Sequence, residues 1–405
     1  GDFNAYSEED PIQVFTAASW SDLVADRTDG EYTYTFDGEL GSLDHALGTP
    51  SLAARVTGAD VWDINADEWF GFQYYGAYPE VGSVYRASDH DPVRFGLASD
   101  AVTGTVEIDL LGINDFHGRL ERGGGTSPIA GAAVLAGAVD AFRTENPDTL
   151  FVSGGDNIGA STFTSFVGQD QATIDALNAM GLDVSALGNH EFDQGRADLD
   201  DRVIPATDFP YLAANIYDRA TGEPAFDEFF VTDVDGIDVG FIGAVTAELP
   251  SLVTPAGIAT LETRPVVSEV NRVAAALSDG LPDNGEADVL VLLVHEGPAN
   301  TTVEASTDDS VFGQIVAGVD AEFDAIFSGH THQAFAHQLP VEGWDQGLTR
   351  PVVQSGQYGE NLAHVTLMVD AATGDVVDNA SALVPLAPGG VAAFPADPEV
   401  AAIVA

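Results

Sequence analysis

The sequence predicts an α/β fold, a layered sandwich of sheet and helix, on three observations. Five short apolar runs bounded by Gly read as strands buried on both faces; they lie in DLLGINDFHG, TLFVSGGDN, VSALGNHEFD, VLVLLVHEG and AIFSGHTHQ. Amphipathic stretches of helical period alternate with these runs, the order of an α/β chain. Each run ends in a metal-competent side chain, so Asp115, His117, Asp156, Asn189, His190, His295, His330 and His332 directly follow strands. Ligands of open α/β sheets collect beyond the carboxyl ends of the strands, and these residues are therefore expected to converge.

The intervening elements follow in order. PIAGAAVLAGAVDAFRTEN reads as a helix with Ser127 as N-cap and Pro128 at its first position, ended by Asn146-Pro147. QDQATIDALNAMG reads as a second, ending at Gly181, and VVSEVNRVAAALSDG as a third that precedes the strand VLVLLV. LAHVTLMVD reads as a strand and places His364 on it; His337 reads as a surface loop residue. From Ser381 onward SALVPLAPGGVAAFPADPEV loses periodicity and gathers Pro and Gly, after which DPEVAAIVA reads as the capped start of a helix.

The residue types at the strand ends narrow the chemistry. Carboxylate oxygen, amide oxygen and imidazole nitrogen, in a chain with no cysteine, suit Mn, Zn, Fe or Co. Two such cations about 3.5–4 Å apart, sharing one carboxylate, can clamp a phosphoryl oxygen and bring the pKa of water towards neutrality. No Ser, Cys or Asp is placed to form a covalent phosphoenzyme. Taken singly the motifs are weaker: Asp-x-His fits a cap or turn, GGDN a turn, GHTH a solvated loop, and HEG little at all. GNHEFD is the strongest, because Asn, His and Asp within five residues resist an explanation by packing. Their joint, ordered occurrence carries the case.

The set NDFHG, GGDN, GNHEFD, HEG and GHTH, in this order, resembles the calcineurin-type metallophosphoesterases, specifically the catalytic domain of the 5′-nucleotidase family. The resemblance implies a four-layer αββα sandwich over residues 108–385. It also implies that Asp115, His117 and His332 hold a first divalent metal ion, that Asp156 bridges, and that Asn189, His295 and His330 complete a second site. His190 corresponds to the non-ligand histidine that stabilises the transition state or protonates the leaving oxygen, held in one tautomer by Asp193. The implied activity is hydrolysis of nucleotides or related small phosphate esters by a metal-bridging hydroxide, with two divalent metal ions (Mn, Zn, Co or Fe) as cofactors.

The first hundred residues carry a second resemblance. GDFNAY, SLDHAL and SDHDPVRFGL are similar to the C-terminal part of an endonuclease/exonuclease/phosphatase domain, and WDINADEWFGFQYY to the form found in large secreted nucleases. It implies that Asp2 and Asn4 orient an attacking water, that Asp89 and His90 form an acid/base dyad, and that Asp44 assists. The half that would supply the metal-binding Glu is not in this sequence. Residues 1–97 are therefore expected to form a partial second αββα-type domain, nearly inactive as a nuclease; the alternative function is a phosphodiesterase or nuclease piece of a multidomain extracellular enzyme. Residues 98–107 read as a linker and residues 386–405 as the start of a connection to a C-terminal substrate domain. With neither an initiator Met nor a signal sequence, the chain reads as a piece of a longer enzyme.

Charge completes the reading. Thirteen basic residues, all Arg, oppose 65 acidic ones for a formal net charge of −52. Self-repulsion of this size destabilises a compact state most at low salt, and the pattern resembles proteins of high-salt organisms, so a halophilic or marine source and an extracellular or periplasmic location are expected. Such a surface repels polyphosphate and argues against tight nucleic-acid binding, while a small phosphate can still dock between two cations and the helix start at Asn189. No run of eighteen apolar residues occurs, so no membrane span is expected. Oligomeric state is open at this level.

Overall fold

The structure, a computed structural model, describes residues 2–18, 20–28, 32–36, 39–49, 53, 56–64, 66, 88, 90–97, 104–281, 285–344 and 347–405. The chain divides into two compact units, Gly1–Thr103 and Gly104–Ala405.

The second unit is built on two six-stranded sheets. In the first, the strands Thr105–Ile113, Leu150–Ser153, Val184–Ala186 and Tyr211–Leu212 run parallel in that spatial order. Asn361–Asp370 pairs antiparallel with Thr105–Ile113 on its other side and carries Val376–Pro385 at the edge. In the second sheet Ile237–Val245, Val289–His295, Phe323–Ser328 and Arg350–Ser355 form a parallel centre. Phe229–Val234 and Ala334–Leu339 flank it antiparallel.

Alternating side chains of a strand point to opposite faces, and here both faces are covered. Ile108, Leu110, Val152 and Val184 of the first sheet pack against Val239, Val291, Leu293 and Phe327 of the second. The other face of the first sheet, with Leu111, Ile113 and Phe151, is covered by helices Ala132–Glu145, Gln171–Ala179 and Pro398–Val404 through Leu135, Ile174, Leu177 and Val400. The outer face of the second sheet, with Ile242, Leu290 and Ile326, is covered by helices Val266–Leu277 and Val311–Gly318 through Val270, Val273, Phe312 and Ile315. The result is the four-layer αββα sandwich, and it explains why Val289–His295 is apolar without alternation: all seven residues are buried. Gly112 is needed where the sheets meet, since a Cβ there would stand 2.4 Å from the Phe327 ring.

Local differences from the sequence reading have physical causes. The first helix begins at Ala132 after Gly131, not at Ser127-Pro128. Residues 127–132 pair with the preceding loop instead, Gly123 N–H donating to Ile129 O at 3.0 Å and Ala132 N–H to Leu120 O at 3.0 Å. The second helix ends at Ala179 with Met180 as C-cap, just before Gly181. Ser381–Pro385 continue an edge strand, whose single neighbour leaves most side chains partly exposed and the apolar pattern weak. Thr105–Glu107, read as linker, belong to the first strand of the sheet. His337 is not on a loop: it lies on Ala334–Leu339 and stacks on Phe335 at 4.6 Å. His364 does lie on a strand and bonds the Asp109 carboxylate at 2.8 Å. The terminal helix Pro398–Val404 is capped by Asp397, which accepts the Val400 N–H at 2.8 Å. No helix among the described residues is long and apolar enough to cross a membrane.

The first unit is described less completely. Helices Asp10–Ala17 and Leu23–Arg27 accompany three two-stranded antiparallel pairs, around a small core of Leu23, Ala53 and Val56. Among the described residues no sheet in this unit is wider than two strands, so the layered arrangement expected of a partial αββα domain is not seen in them.

Candidate metal centre

Five loops leave the carboxyl ends of five strands, three from one sheet and two from the other, and meet at one edge of the sandwich. Asp115, His117, Asp156, His330 and His332 all take positive φ, between 48° and 71°. Non-glycine residues rarely adopt that region, and such strain persists where surrounding structure over-determines it. Here the loops are bound tightly to one another. Asp115 N–H donates to Gly155 O at 2.9 Å, His117 N–H to Asp156 O at 3.0 Å and Tyr358 N–H to Asp115 O at 2.8 Å. Glycines permit the approach: a Cβ on Gly188 would stand 2.2 Å from Asp156 Oδ1, and one on Gly329 2.9 Å from His295 Nδ1.

The side chains form two clusters, Asp115 with His117 and His332, and Asp156 with His295 and His330, the donor atoms of each lying within 4.8 Å of one another. Asp156 Oδ2 faces both: it is 3.0 Å from His295 Nε2 and 3.7 Å from His117 Nε2. The histidines are oriented from behind, His117 Nδ1–H donating to Gly159 O and His295 Nδ1–H to Gly154 O, each at 2.8 Å, so both Nε2 atoms keep a lone pair for the centre. Asp115 is fixed likewise, its Oδ2 accepting from Asn114 Nδ2 at 2.7 Å and from His330 N–H at 2.9 Å. Asp115 Oδ1, Asn189 Oδ1 and His295 Nε2 are buried and have no hydrogen-bond partner. Buried polar atoms left unsatisfied are costly, and three of them among hard oxygen and imidazole donors are what a cation would satisfy. The residues present therefore fit two divalent metal ions.

The electrostatics agree with that fit. Burial pulls His295 down, yet the adjoining Asp156 carboxylate outweighs it and holds the imidazole up, while burial of Asp156 is outweighed by His295, which holds its carboxyl down. Burial lowers His117 and His330, and the Asp115 carboxylate, whose Oδ1 lies 3.2 Å from His332 Nε2, raises His332.

His190 belongs to neither cluster. Its Nδ1–H donates to Asp193 Oδ2 at 2.9 Å and its ring centroid lies 5.0 Å from that of His117. The Asp193 hydrogen bond pushes the imidazole up to about 8, with burial opposing.

Three further residues serve the site without having been singled out by sequence. Asn114 orients Asp115. Glu191 is buried and accepts the backbone N–H groups of Gly188, Asn157 and Asp156 at 2.8, 2.8 and 3.0 Å, tying the GGDN loop to the GNHEFD loop. Burial, reinforced by Asp156, pushes its carboxyl up to about 7. Tyr358 packs edge-on to His117 and His332, with Arg119 stacked 4.0 Å above its ring. Asn114 and Glu191 stand inside the recognised motifs at non-ligand positions, which was the available signal; Tyr358 lies outside them.

In the first unit, Asp2 pairs with Asp44 through a backbone bridge, Asn4 N–H donates to Asp2 Oδ1 at 2.8 Å, and His90 Nδ1 lies 2.6 Å from Asp44 Oδ2. His90 thus faces Asp44, and Tyr34 stacks on its ring at 4.5 Å. Asp89 lies outside the described residues.

Among known proteins, the chain is similar to the endonuclease YhcR of Bacillus subtilis, 28% identical over 319 residues that cover 74% of this chain and 25% of that protein. It is 32% identical over 326 residues to the cell wall protein Lmo0130 of Listeria monocytogenes, covering 70% and 39%. It is 28% identical over 304 residues to the snake venom 5′-nucleotidase of Gloydius brevicauda, covering 69% and 48%. The chain thus spans between a quarter and about half the length of these relatives. The profile of the calcineurin-like phosphoesterases matches residues 108–334, a span that opens in the first strand of the sandwich and closes just after His332. With the strand-end loops, the paired Asp/His clusters and that match in agreement, this chain belongs to the calcineurin-like phosphoesterase family.

Proposed function

We propose that the second unit is a metal-dependent phosphomonoesterase acting on nucleotides or related small phosphate esters. The observation that carries this reading is the position of Asp156 Oδ2 between the two clusters, 3.0 Å from His295 Nε2 and 3.7 Å from His117 Nε2, with His190 beside them and outside both. Asp115, His117 and His332 would hold one divalent ion, Asn189, His295 and His330 the other, and Asp156 both. When bound, the pair neutralises phosphoryl oxygens and acidifies water, as two-metal hydrolases do.

The chain's own residues do the rest. Asp193 accepts the His190 Nδ1–H, and the imidazole, pushed up to about 8, carries a second proton on Nε2 near neutral pH that it would give to the leaving oxygen as the ester bond breaks. Glu191 fixes the backbone of Asp156 and Gly188 and so sets where Asp156 and Asn189 stand. Asn114 aims Asp115 Oδ1 inward. The relative named a 5′-nucleotidase supports nucleotides as the substrate class, and the cell wall relative supports an extracellular or periplasmic setting.

A second reading, a nuclease-type phosphodiesterase, draws on the approach of His90 to Asp44 in the first unit and on the relative named an endonuclease. One substrate panel separates the two: p-nitrophenyl phosphate, bis-p-nitrophenyl phosphate, AMP, ATP and plasmid DNA, each with Mn²⁺ and with chelator. Chelator-sensitive hydrolysis of the monoesters, lost in Asp115→Ala, supports the first reading. Metal-dependent DNA cleavage that survives Asp115→Ala and disappears in His90→Ala would replace it with the second.

A further inference from the structure

Thirteen arginines face 65 carboxylates in this chain, and Arg94, Arg143, Arg196, Arg202, Arg264 and Arg272 each lie against an aspartate or glutamate. Arg119 does not. Its Nε–H is buried with no hydrogen-bond partner, and among the described residues no carboxylate or carbonyl holds its other N–H groups. Its contact is Tyr358, with Cζ 4.0 Å above the ring. A guanidinium over a ring face uses none of its N–H donors, so the stack fixes where the cation stands and leaves its hydrogen bonding open. Unsatisfied donors in a half-buried group call for an occupant rich in acceptor oxygens.

The platform under Arg119 belongs to the metal centre. The Tyr358 ring packs edge-on to His117 at 5.9 Å and to His332 at 5.5 Å. Its backbone stands at φ 58°, which a tyrosine rarely adopts, and its N–H donates to Asp115 O at 2.8 Å. Arg119 itself follows His117 by two residues in a turn closed by its N–H on Phe116 O at 3.2 Å. A free cation is thus held on the flank of the Asp115–His117–His332 cluster.

Resting on the phosphomonoesterase reading, we propose that Arg119 grips the phosphoryl group and sets a preference for monoesters over diesters. Near neutral pH a phosphate monoester carries about −1.5 to −2 charge on three terminal oxygens, whereas a diester keeps a single charge on two. One more fixed positive charge favours the first over the second, and the planar fork of donors matches its oxygens. The phosphoryl group is common to all monoesters, so this contribution does not depend on the alcohol.

The test compares the Mn²⁺-loaded full chain with Arg119→Met, which keeps an apolar stem over Tyr358, and with Arg119→Lys. Arg219→Met removes the same charge from an exposed turn after Ile216–Asp218 and serves as the control. Calorimetry reads the binding of inorganic phosphate, and elemental analysis reads manganese content. Turnover is followed on p-nitrophenyl phosphate, AMP, glycerol phosphate and bis-p-nitrophenyl phosphate. Arg119→Met is expected to bind phosphate about tenfold more weakly, the size of one charge-assisted hydrogen bond, at unchanged manganese content. Its kcat/KM should fall by a similar factor on all three monoesters and by less than about threefold on the diester. Arg119→Lys should recover part of the loss, and Arg219→Met should stay within about twofold of the parent. Unchanged phosphate affinity in Arg119→Met, or equal losses on monoesters and diester, would overturn the assignment. Loss of manganese from Arg119→Met would overturn it too, leaving the stack as a support for His117 and His332. A parent chain that binds phosphate yet is inert towards every monoester would instead overturn the phosphomonoesterase reading, and the preference with it.

Discussion

His190 donates from Nδ1 to Asp193 Oδ2 at 2.9 Å, three residues along a single turn that opens directly after Asn189. The pair sits next to the clusters without joining them, and the proposed function gives it proton transfer apart from ligation. His190→Ala should lower kcat by about 10²–10⁴ while leaving metal content intact. Asp193→Asn should have a smaller effect of the same kind. Elemental analysis of the two variants beside their turnover checks this, and loss of metal from His190→Ala would assign His190 to ligation instead.

Glu191 joins two loops through three short backbone hydrogen bonds in the interior. Glu191→Ala leaves those N–H groups buried and unpaired, at a cost of roughly 1–3 kcal/mol each. A loss of about 3 kcal/mol or more in urea unfolding is expected, together with weaker metal binding by calorimetry. Stability within about 0.5 kcal/mol of the parent would mean that the loops hold without it.

The Asp109 carboxyl is held down to about 2, first by the hydrogen bond from His364, with burial opposing. A depressed folded value contributes stability that is fully present above the unfolded carboxyl's value of about 3.9 and is lost as pH falls through the folded one. His364→Phe should therefore melt below the parent at pH 6, and the gap should close between about pH 4 and pH 2. A gap that persists unchanged to the acid limit would place the contribution of His364 in packing, against Phe142 at 4.8 Å, rather than in the ion pair.

The net charge of −52 predicts a salt response. Raising ionic strength from 0.1 M to 1 M shortens the Debye length from about 10 Å to about 3 Å and screens the self-repulsion. The melting temperature should rise by several degrees over that range. A flat profile in both NaCl and KCl would show that the surface tolerates its charge without screening.

Much of the sandwich was legible because strands buried on both faces must be continuously apolar, and the site was legible because its members follow those runs directly. Val289–His295 carries both signals at once. Sheet membership was not legible: nothing in the strand ending before Asp156 separates it from the one ending in His295, although they belong to different sheets. Neither was the role of Glu191, since a carboxylate serving backbone N–H groups looks in sequence like one serving a metal. Ser127-Pro128 carried a sound helix-start signal, but pairing with residues 120–123 overrode it. His337 and Ser381–Pro385 lie on edge strands, where half-exposed positions blur the alternation. Asp44 stood far from His90 in sequence, and only folding brings the two side chains together.

The shared carboxylate is the claim on which the rest depends, and anomalous diffraction from crystals of the Mn²⁺-loaded protein tests it most directly. The account predicts two manganese peaks about 3.5–4 Å apart, with Asp156 reaching both, and their joint loss in Asp156→Asn. A single peak, or two peaks that persist in Asp156→Asn, would contradict it.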